Sequence, residues 1–387
     1  MDTSPIGTIA LDGKRALYNF TGLGNYSRYA IAALSAAMPF DEFRVYAHKR
    51  LPSQVPFEVP HNVSIVTPES LYGRKLGSLW RHWGGLSRAL RCDGVQLYHG
   101  LSNELPFDIA RAGIPSVVTI HDLIFRRIPE NYKPVDRRLY DWKFSHAARE
   151  ATRVIAISER TRADIMELYG VPAGKIDVVY QGCNPLFTLP VSDEERERVR
   201  KLYDLPPVFI AMVGTVEQRK NQLLVVEALR GLPSEVELVI VGRGRNNYGK
   251  QLRETIARYG LARRVKWLTG VPTLDLPAIY SLSTLSAYPS RYEGFGLPVI
   301  EAINCGTPVV AATGSCLEEA GGPGALYVSP DSAEEFAAAA SRLLSDTALH
   351  SRMVAEGREY VARFSPLSFA EHTLDTYHTA LREYSQK

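Results

Sequence analysis

The 387-residue sequence predicts an α/β protein of two Rossmann-like, doubly wound domains facing a central cleft. Three observations carry that prediction. The chain is too long for one ordinary domain and suits two of about 180 residues each. Short apolar strands alternate with helical stretches twice over, and repeated βα units with short connections give parallel sheets. The alternation breaks once, at QGCNPLF (181–187), whose glycine and proline read as a linker. The resulting division is 1–185, 186–365 and a terminal helical segment, 366–387.

The elements follow in order from local pattern. Residues 8–12 form a strand, followed by a turn through Thr21, Gly22, Leu23 and Gly24 and a helix over 25–37. Apolar runs give further strands at 43–47, 63–66, 95–99, 116–120, 153–157 and 176–180. Helices fall at 76–91, 135–149 and 158–168, the last with Ser158 as its N-cap. In the second half a charged helix at 193–203 leads to strands at 208–213, 236–241, 265–268, 284–288 and 309–312. Helices at 221–230, 250–259 and 274–280 alternate with them. Another helix starts near Leu297 and stops at Gly306-Thr307-Pro308, a glycine-then-proline terminator. Two long helical segments, 333–345 and 348–363, precede the final helix, which begins after Pro366.

Composition removes several classes. With 45% hydrophobic and 22% charged residues the chain is globular, not disordered. Its start, MDTSPIGTIALDGKR, lacks a basic segment followed by an apolar run, so no signal peptide is expected. No stretch approaches the ~18 apolar residues of a membrane span. Cys92, Cys183, Cys305 and Cys316 are scattered without a C-x-x-C pair, which fits reduced thiols better than disulfides or zinc. A cytoplasmic location is the expectation. The net charge of +3 is too small to point to nucleic acid. It is uneven, however: residues 1–185 hold 23 Lys+Arg against 18 Asp+Glu, the remainder 22 against 24.

The most informative stretch is SRYEGFGLPVIEAINCGTPVV (290–310). Glu293 lies in a glycine-rich turn after the 284–288 strand, and Glu301 lies in the helix that follows. Ligands of open α/β sheets bind at such carboxyl strand ends. Gly294 belongs to the same turn, and backbone N–H groups at Phe295, Gly296 and Leu297 suit an anion such as phosphate. Glu301 has apolar neighbours, Val299, Ile300, Ala302 and Ile303, so its charge needs a partner or a ligand. Two carboxylates beside an anion site imply a ligand with phosphate and hydroxyl-rich parts, as in a nucleotide sugar. Two ordinary surface acids are the plainer alternative.

Other candidates sit at strand ends. Gly214 follows the 208–213 strand, and Arg219 and Lys220 precede the next helix, where they form a phosphate clamp or a solvated surface turn. Gly242 and Gly270 end the next two strands. Gly22 and Gly24 open a helix and let backbone approach a phosphate, although the missing third glycine weakens a NAD reading. His121 and Asp122 end the 116–120 strand, and His99 ends its neighbour and shares that pocket. With no D-x-D and no metal-ligand spacing, a metal-bound diphosphate is not expected. The basic segment LYGRKLGSLWRHWGGLSRALR (71–91) carries two tryptophans and no acid. It reads either as an interfacial helix for anionic lipid, through Arg74, Lys75 and Arg81, or as a core helix.

Together these segments resemble the family 4 glycosyltransferases, the retaining nucleotide-sugar enzymes of the GT-B fold. The resemblance spans nearly the whole chain: the turn at Gly22, His121-Asp122, Arg219-Lys220-Asn221, and E-G-F-G-L-P-x-x-E from Glu293 to Glu301. It implies that Glu301 binds a ribose diol and Glu293 a hexose hydroxyl. It implies that Arg219, Lys220 and the 295–297 amides hold a diphosphate, with Gly22–Gly24 facing it, and that His121 lies beside the reacting sugar. The terminal helix would return to the first domain. No cofactor is implied beyond the donor, with GDP-mannose favoured over UDP-hexoses. The first domain would take the acceptor, a glycan or lipid-linked glycan in polysaccharide or lipopolysaccharide assembly, with contact to an anionic membrane surface. A nucleotide-sugar epimerase and a non-catalytic nucleotide-sugar binder stay open.

Overall fold

The computed structural model describes residues 4–49, 51–52, 55–68, 76–244 and 247–386. The chain divides into two compact units, residues 1–182 with 364–387 and residues 183–363. In the first, β1 (Thr8–Asp12), β2 (Glu42–Tyr46), β3 (Val63–Val66), β4 (Leu97–Gly100), β5 (Ser116–Ile120), β6 (Arg153–Ala156) and β7 (Ile176–Val178) form one parallel sheet in the order β3-β2-β1-β4-β5-β6-β7. In the second, β8 (Phe209–Val213), β9 (Glu237–Val241), β10 (Val265–Leu268), β11 (Leu285–Tyr288), β12 (Val309–Ala312) and β13 (Ala325–Val328) pair in parallel as β10-β9-β8-β11-β12-β13.

Both orders reverse direction once, between β1 and β4 and between β8 and β11. There the connections leave to opposite sides, opening a crevice at the carboxyl ends of the strands. The central strands are buried on both faces, as parallel strands flanked by helices must be. Each sheet has its own apolar core. The last helix, Pro366–Ser385, packs in the first unit. Tyr377 Oη meets His99 Nδ1 at 2.7 Å, Phe369 meets Tyr26 edge-on, and Glu383 pairs with Arg153 at 3.0 Å.

The structure departs from the sequence reading in four places. The gap between β1 and Gly22 holds a helix, Gly13–Tyr18, because Asp12 caps it by accepting from the Lys14 amide at 3.1 Å. The next helix then starts at Gly22, not at Asn25. The single helix expected over 76–91 is absent: Gly77–His82 and Gly85–Cys92 are separate, broken at Gly84 with φ +79°. The sequence reading assigns no element between 313 and 332, where the structure has the helix Leu317–Gly321 and β13, since glycines and brevity hide the periodicity there.

The break has a further consequence. Trp80 and Arg81 turn inward, and Arg81 is only 2% exposed. Its guanidinium forks onto the Asp12 carboxylate, Nε to Oδ1 at 3.2 Å and Nη2 to Oδ2 at 2.7 Å, and its Nη1 pairs with Glu104. Lys14 Nζ reaches Glu104 at 3.0 Å. Arg81 is therefore unavailable to a membrane surface, which corrects that part of the expectation. Arg74 and Lys75 lie outside the described residues. Among those described, no helix is long and apolar enough to cross a membrane.

Burial raises the carboxyl pKa values of Asp12 and Glu104, and Arg81 together with Lys14, joined by Lys143 at Glu104, more than reverses this, holding both below the ordinary range. Their contribution to stability is therefore present above the unfolded pKa values and lost as pH falls through the lower folded ones. Arg81→Met leaves two buried acids short of a partner. The expected cost in urea unfolding at neutral pH is about 3–5 kcal/mol. A loss below about 1 kcal/mol would mark the cluster as no more than a surface pair.

Candidate active site

The loops that follow β8 and β11 are fastened to each other by backbone and amide bonds. Asn221, in the left-handed region at φ +61°, sends Nδ2 to the carbonyls of Pro289 (3.3 Å) and Pro330 (2.8 Å). The Arg291 amide donates to the Arg219 carbonyl at 2.9 Å, and Ser290 Oγ lies 3.2 Å from the same carbonyl. These bonds place Arg219 and Lys220 against Glu293 at the switch point of the second sheet.

Three donors converge on one oxygen there. Glu293 Oε1 accepts from Lys220 Nζ at 2.6 Å and from Ser290 Oγ at 2.5 Å, and it pairs with Arg219 Nη1 at 2.6 Å. None of these three contacts falls on Glu293 Oε2; the Tyr288 hydroxyl also interacts with the carboxylate, and the residue is 8% exposed. Lys220 Nζ also bonds Tyr288 Oη at 2.5 Å. Arg219 is held further by the Tyr292 carbonyl (2.7 Å) and by Glu217 (2.6 Å). Burial pushes the Glu293 pKa up, but Lys220 and Arg219 outweigh it and bring it down to about 2. Burial lowers the Lys220 pKa against the pull of Glu293. That of Arg219 ends above its ordinary value, because Glu293 and Glu217 exceed the burial effect.

Glu301 has the opposite environment. It sits on the Leu297–Asn304 helix, flanked by buried Val299, Ile300, Ala302 and Ile303, and forms no ion pair with a described residue. Burial raises its pKa to about 7, with Tyr280 and Lys220 pulling only weakly downward. The buried Tyr280 hydroxyl influences Glu301 through proximity, since it forms no well-shaped hydrogen bond among the described residues. Two acids eight positions apart thus differ sharply: one stays ionised at any ordinary pH, the other is poised near neutrality.

The helix that carries Glu301 is capped at Gly296, whose φ of +118° favours glycine and whose missing Cβ avoids a close contact. A Cβ there would lie 2.8 Å from Leu317 Cδ2. Cys316 Sγ donates to the carbonyls of Glu293 (3.2 Å) and Phe295 (2.9 Å), which fixes the turn. The Phe295 ring is buried, so this residue and its glycine neighbours can meet a ligand only through backbone. Gly214, at φ +144°, follows β8, and a Cβ on Gly242 would strike its carbonyl at 1.9 Å. Gly242 therefore serves the close approach of two strand ends, and Gly270, at φ +74°, makes a turn after β10.

In the first unit, His121 is 5% exposed and follows β5. Its amide bonds Asn103 Oδ1 at 2.7 Å, and its Nε2 meets the Leu101 carbonyl at 2.9 Å. A carbonyl only accepts, so Nε2 carries the proton and Nδ1 keeps a lone pair. Burial lowers the His121 pKa to about 4, which leaves the ring neutral at physiological pH. Asp122 accepts from the Ile124 amide at 3.1 Å, opening the Ile124–Arg127 helix. His99 has no exposure, and Tyr377 and Thr119 occupy both ring nitrogens, so the ring is part of the core with no atom left for an acceptor. Gly24 packs against the Asn19 carbonyl, where a Cβ would come within 1.9 Å, while Gly22 is exposed and unobstructed.

Sequence reasoning missed Glu217, Tyr280, Tyr288, Ser290 and Cys316. Tyr288 and Ser290 were within reach, since they flank the strand end that carries Glu293. Tyr280 and Cys316 arrive from other βα units and leave no local signal. Among the described residues no group of three His, Cys, Asp or Glu side chains is placed to hold a metal ion.

Comparison with known proteins covers both units. The family model described as Glycosyl transferases group 1 matches residues 193–360, and Glycosyltransferase Family 4 matches residues 22–185. The O-antigen chain mannosyltransferase B of Escherichia coli is 29% identical over 93% of this chain and 96% of its own length. The serotype-specific mannosyltransferase WbdA, also of Escherichia coli, is 27% identical over 76% of this chain, which spans only 37% of that larger protein. Among solved structures, HepE of Anabaena in complex with UDP shares the fold. Its TM-score is 0.73 at 21% identity, over 96% of this chain and 99% of its own.

The raised pKa of Glu301 gives a measurable signature. Because its folded value of about 7 lies above the ordinary 4.5, the protonated form is the one the fold favours. The stability it contributes is whole below the ordinary value and is lost as pH rises towards 7. A carboxyl carbon NMR titration should show one glutamate with a midpoint near 7 that disappears in Glu301→Gln. The same variant should raise the unfolding midpoint above neutrality and change it little in acid. A Glu301 midpoint near the ordinary 4.5 would contradict the assignment.

Proposed function

Because the chain belongs to the family 4 (group 1) glycosyltransferases and its two Rossmann-like units are those of the GT-B fold, we propose that it is a retaining, metal-independent hexosyltransferase. It moves a hexose from a nucleotide sugar to a glycan or lipid-linked glycan. The observation that carries this reading is the convergence of Lys220, Arg219 and Ser290 on Glu293 Oε1 at the switch point, with none of the three on Oε2. Two fixed cations await a diphosphate there, and the second carboxylate oxygen awaits a sugar hydroxyl.

The roles follow from chemistry. Glu301, poised near neutrality and lacking a cation, takes the ribose diol through its ionised form. Arg219, Lys220 and the backbone of 294–297, with Gly214, Gly242 and Gly270 along the same edge, hold the diphosphate. Charge that develops on the departing diphosphate is stabilised by the two cations, already aimed before the reaction begins. The acceptor hydroxyl oxygen bonds to the anomeric carbon from the face the diphosphate leaves. Its proton passes to the departing phosphate oxygen as the carbon–oxygen bond breaks. We assign the neutral His121 to a sugar hydroxyl through Nδ1, Gly22 and Gly24 to donor binding, and Asp122 to the acceptor side. Mannose from GDP-mannose is the favoured donor, supported by the two mannosyltransferase relatives; the UDP complex of the structural neighbour keeps a UDP-hexose as the second choice. The O-antigen relative supports an acceptor in lipopolysaccharide or polysaccharide assembly.

Calorimetric titration of GDP, UDP, ADP and NAD without metal tests this. One nucleoside diphosphate should bind, with GDP expected, and Glu301→Ala should weaken it by roughly 10- to 100-fold, the loss of hydrogen bonds to a charged group. Below about pH 7 binding should release a proton, since the diol selects the ionised acid, and the heat should vary with the buffer's ionisation enthalpy. Arg219→Ala should lower kcat by roughly 100- to 1,000-fold. Binding of NAD alone, or of no nucleotide, would overturn the donor-site assignment.

A further inference from the structure

The second unit holds a recess that the transfer chemistry does not use. It encloses about 380 Å³, and Arg196, Ser281, Asn304, Cys305 and Arg358 line it, with the 188–191 segment as one wall. The first turn of the Asp193–Tyr203 helix meets the last turns of Leu276–Leu282, Leu297–Asn304 and Thr347–Val361 there.

The recess is rich in donors. Two guanidinium groups contribute to it, and no Asp or Glu is among the described residues that line it. Arg358 Nη2 lies over the helix terminator, 2.6 Å from where a Cβ on Gly306 would stand. Its guanidinium forms no ion pair or hydrogen bond with a described residue. Arg196 Nη1 reaches Asp193 and Nη2 the Val191 carbonyl, both at 2.9 Å, but Nε is buried without a hydrogen-bond partner. The Asp193 side chain is 96% exposed, so that pair offsets little of the arginine's charge. Buried donors without an acceptor are rare, and guanidinium groups suit a phosphate.

The rest of the wall narrows the ligand. A bare phosphate fills little of such a space, and pockets for small organic ligands begin at about 300 Å³. Leu189, Pro190 and Val191 give an apolar side for the C–H face of a sugar ring. Ser281 Oγ donates to the Ala278 carbonyl at 3.0 Å and can still accept. Asn304 Nδ2 meets Cys183 Sγ at 3.2 Å, which leaves its Oδ1 to accept from a hydroxyl.

We propose that this recess binds a small phosphate ester of a polyhydroxyl compound, and that its occupancy weakens nucleotide binding at Glu301. The phosphate lies between Arg196 and Arg358, and the hydroxyls donate to Ser281 and Asn304. The Leu297–Asn304 helix connects the two sites: the Cys305 amide bonds the Glu301 carbonyl at 3.1 Å, so recess and acid are one turn apart. An anion at the negative end of this helix works against the ionised Glu301 that a ribose diol selects. The coupling rests on the donor-site reading, whereas the ester site does not.

Calorimetry of the full chain with mannose 6-phosphate and with inorganic phosphate tests the site. The wild type should bind the ester, and Arg196→Ala and Arg358→Ala should each weaken it by about 10- to 100-fold, the loss of a hydrogen bond to a charged group. Arg219→Ala, which removes a cation from the donor site, should bind the ester as the wild type does. Arg196 is partly exposed, so its variant reads the recess even where Arg358→Ala loosens the helix end. No ester binding, or weakening by Arg219→Ala and not by Arg196→Ala, would overturn the recess. Inorganic phosphate bound as tightly as the ester would mean an adventitious ion only and overturn the ester assignment. The nucleoside diphosphate that the chain binds is then titrated with the ester at saturation. Its Kd should rise about 5- to 10-fold in the wild type and stay constant in Arg196→Ala/Arg358→Ala. An unchanged wild-type Kd, or a rise that the double variant keeps, would overturn the coupling. Failure of every nucleoside diphosphate to bind would overturn the donor reading and the coupling with it, and leave the ester site standing.

Discussion

One carboxylate oxygen, Glu293 Oε1, holds two cations at the edge of the second sheet, and the shape of the site depends on it. Burying a charge costs several kcal/mol unless a partner compensates. Arg219 and Lys220 remain charged and in place without a ligand because Glu293 faces both. With Glu217 the four side chains sum to no net charge. An arriving diphosphate therefore meets cations whose geometry is already set, at the cost of sharing them with Glu293. That arrangement suits a group whose negative charge grows as a bond breaks, since the stabilising charges need not move.

The first unit repeats the device with a different result. At its own switch point Arg81 lies between Asp12 and Glu104, also buried. There the contacts spread over both oxygens of each acid: Asp12 meets Arg81, the Lys14 amide and Ser102, and Glu104 bonds Arg81 and Lys14 through Oε2 and faces Lys143 at 3.6 Å through Oε1. The cluster is closed and acts as a brace between β1 and the loop after β4. Glu293 differs in that its contacts with Lys220, Arg219 and Ser290 all crowd onto one oxygen, Oε1. Cations fixed in place beside a carboxylate oxygen that carries none of these contacts are where an anionic, hydroxyl-bearing ligand is expected.

Much of this was legible because it is local. The bounds of β1, β3, β5, β10 and β12 follow from apolar runs closed by polar or turn residues. The choice of Glu293 and Glu301 as candidates follows from their spacing within one βα unit. Long-range pairing was not legible. Periodicity found an amphipathic segment around Arg81 but gave no hint that Asp12, 69 positions away, would claim the guanidinium. His99 looked like a pocket residue because it ends a central strand, yet the terminal helix, 278 positions later, supplies the Tyr377 hydroxyl that closes it off. Cys316 reaches the Glu293 turn only after the chain has crossed to β12 and back, a contact no motif encodes.

The most direct measurement is a crystal structure of the complex with GDP. The account places β-phosphate oxygens about 3 Å from Arg219 and Lys220 and the ribose hydroxyls on the Glu301 carboxylate, with Glu293 Oε2 lying beyond the phosphate. A nucleotide bound in the reverse sense, its ribose on Glu293 and its phosphates away from both cations, would contradict it, as would density for GDP anywhere other than the β8/β11 switch point.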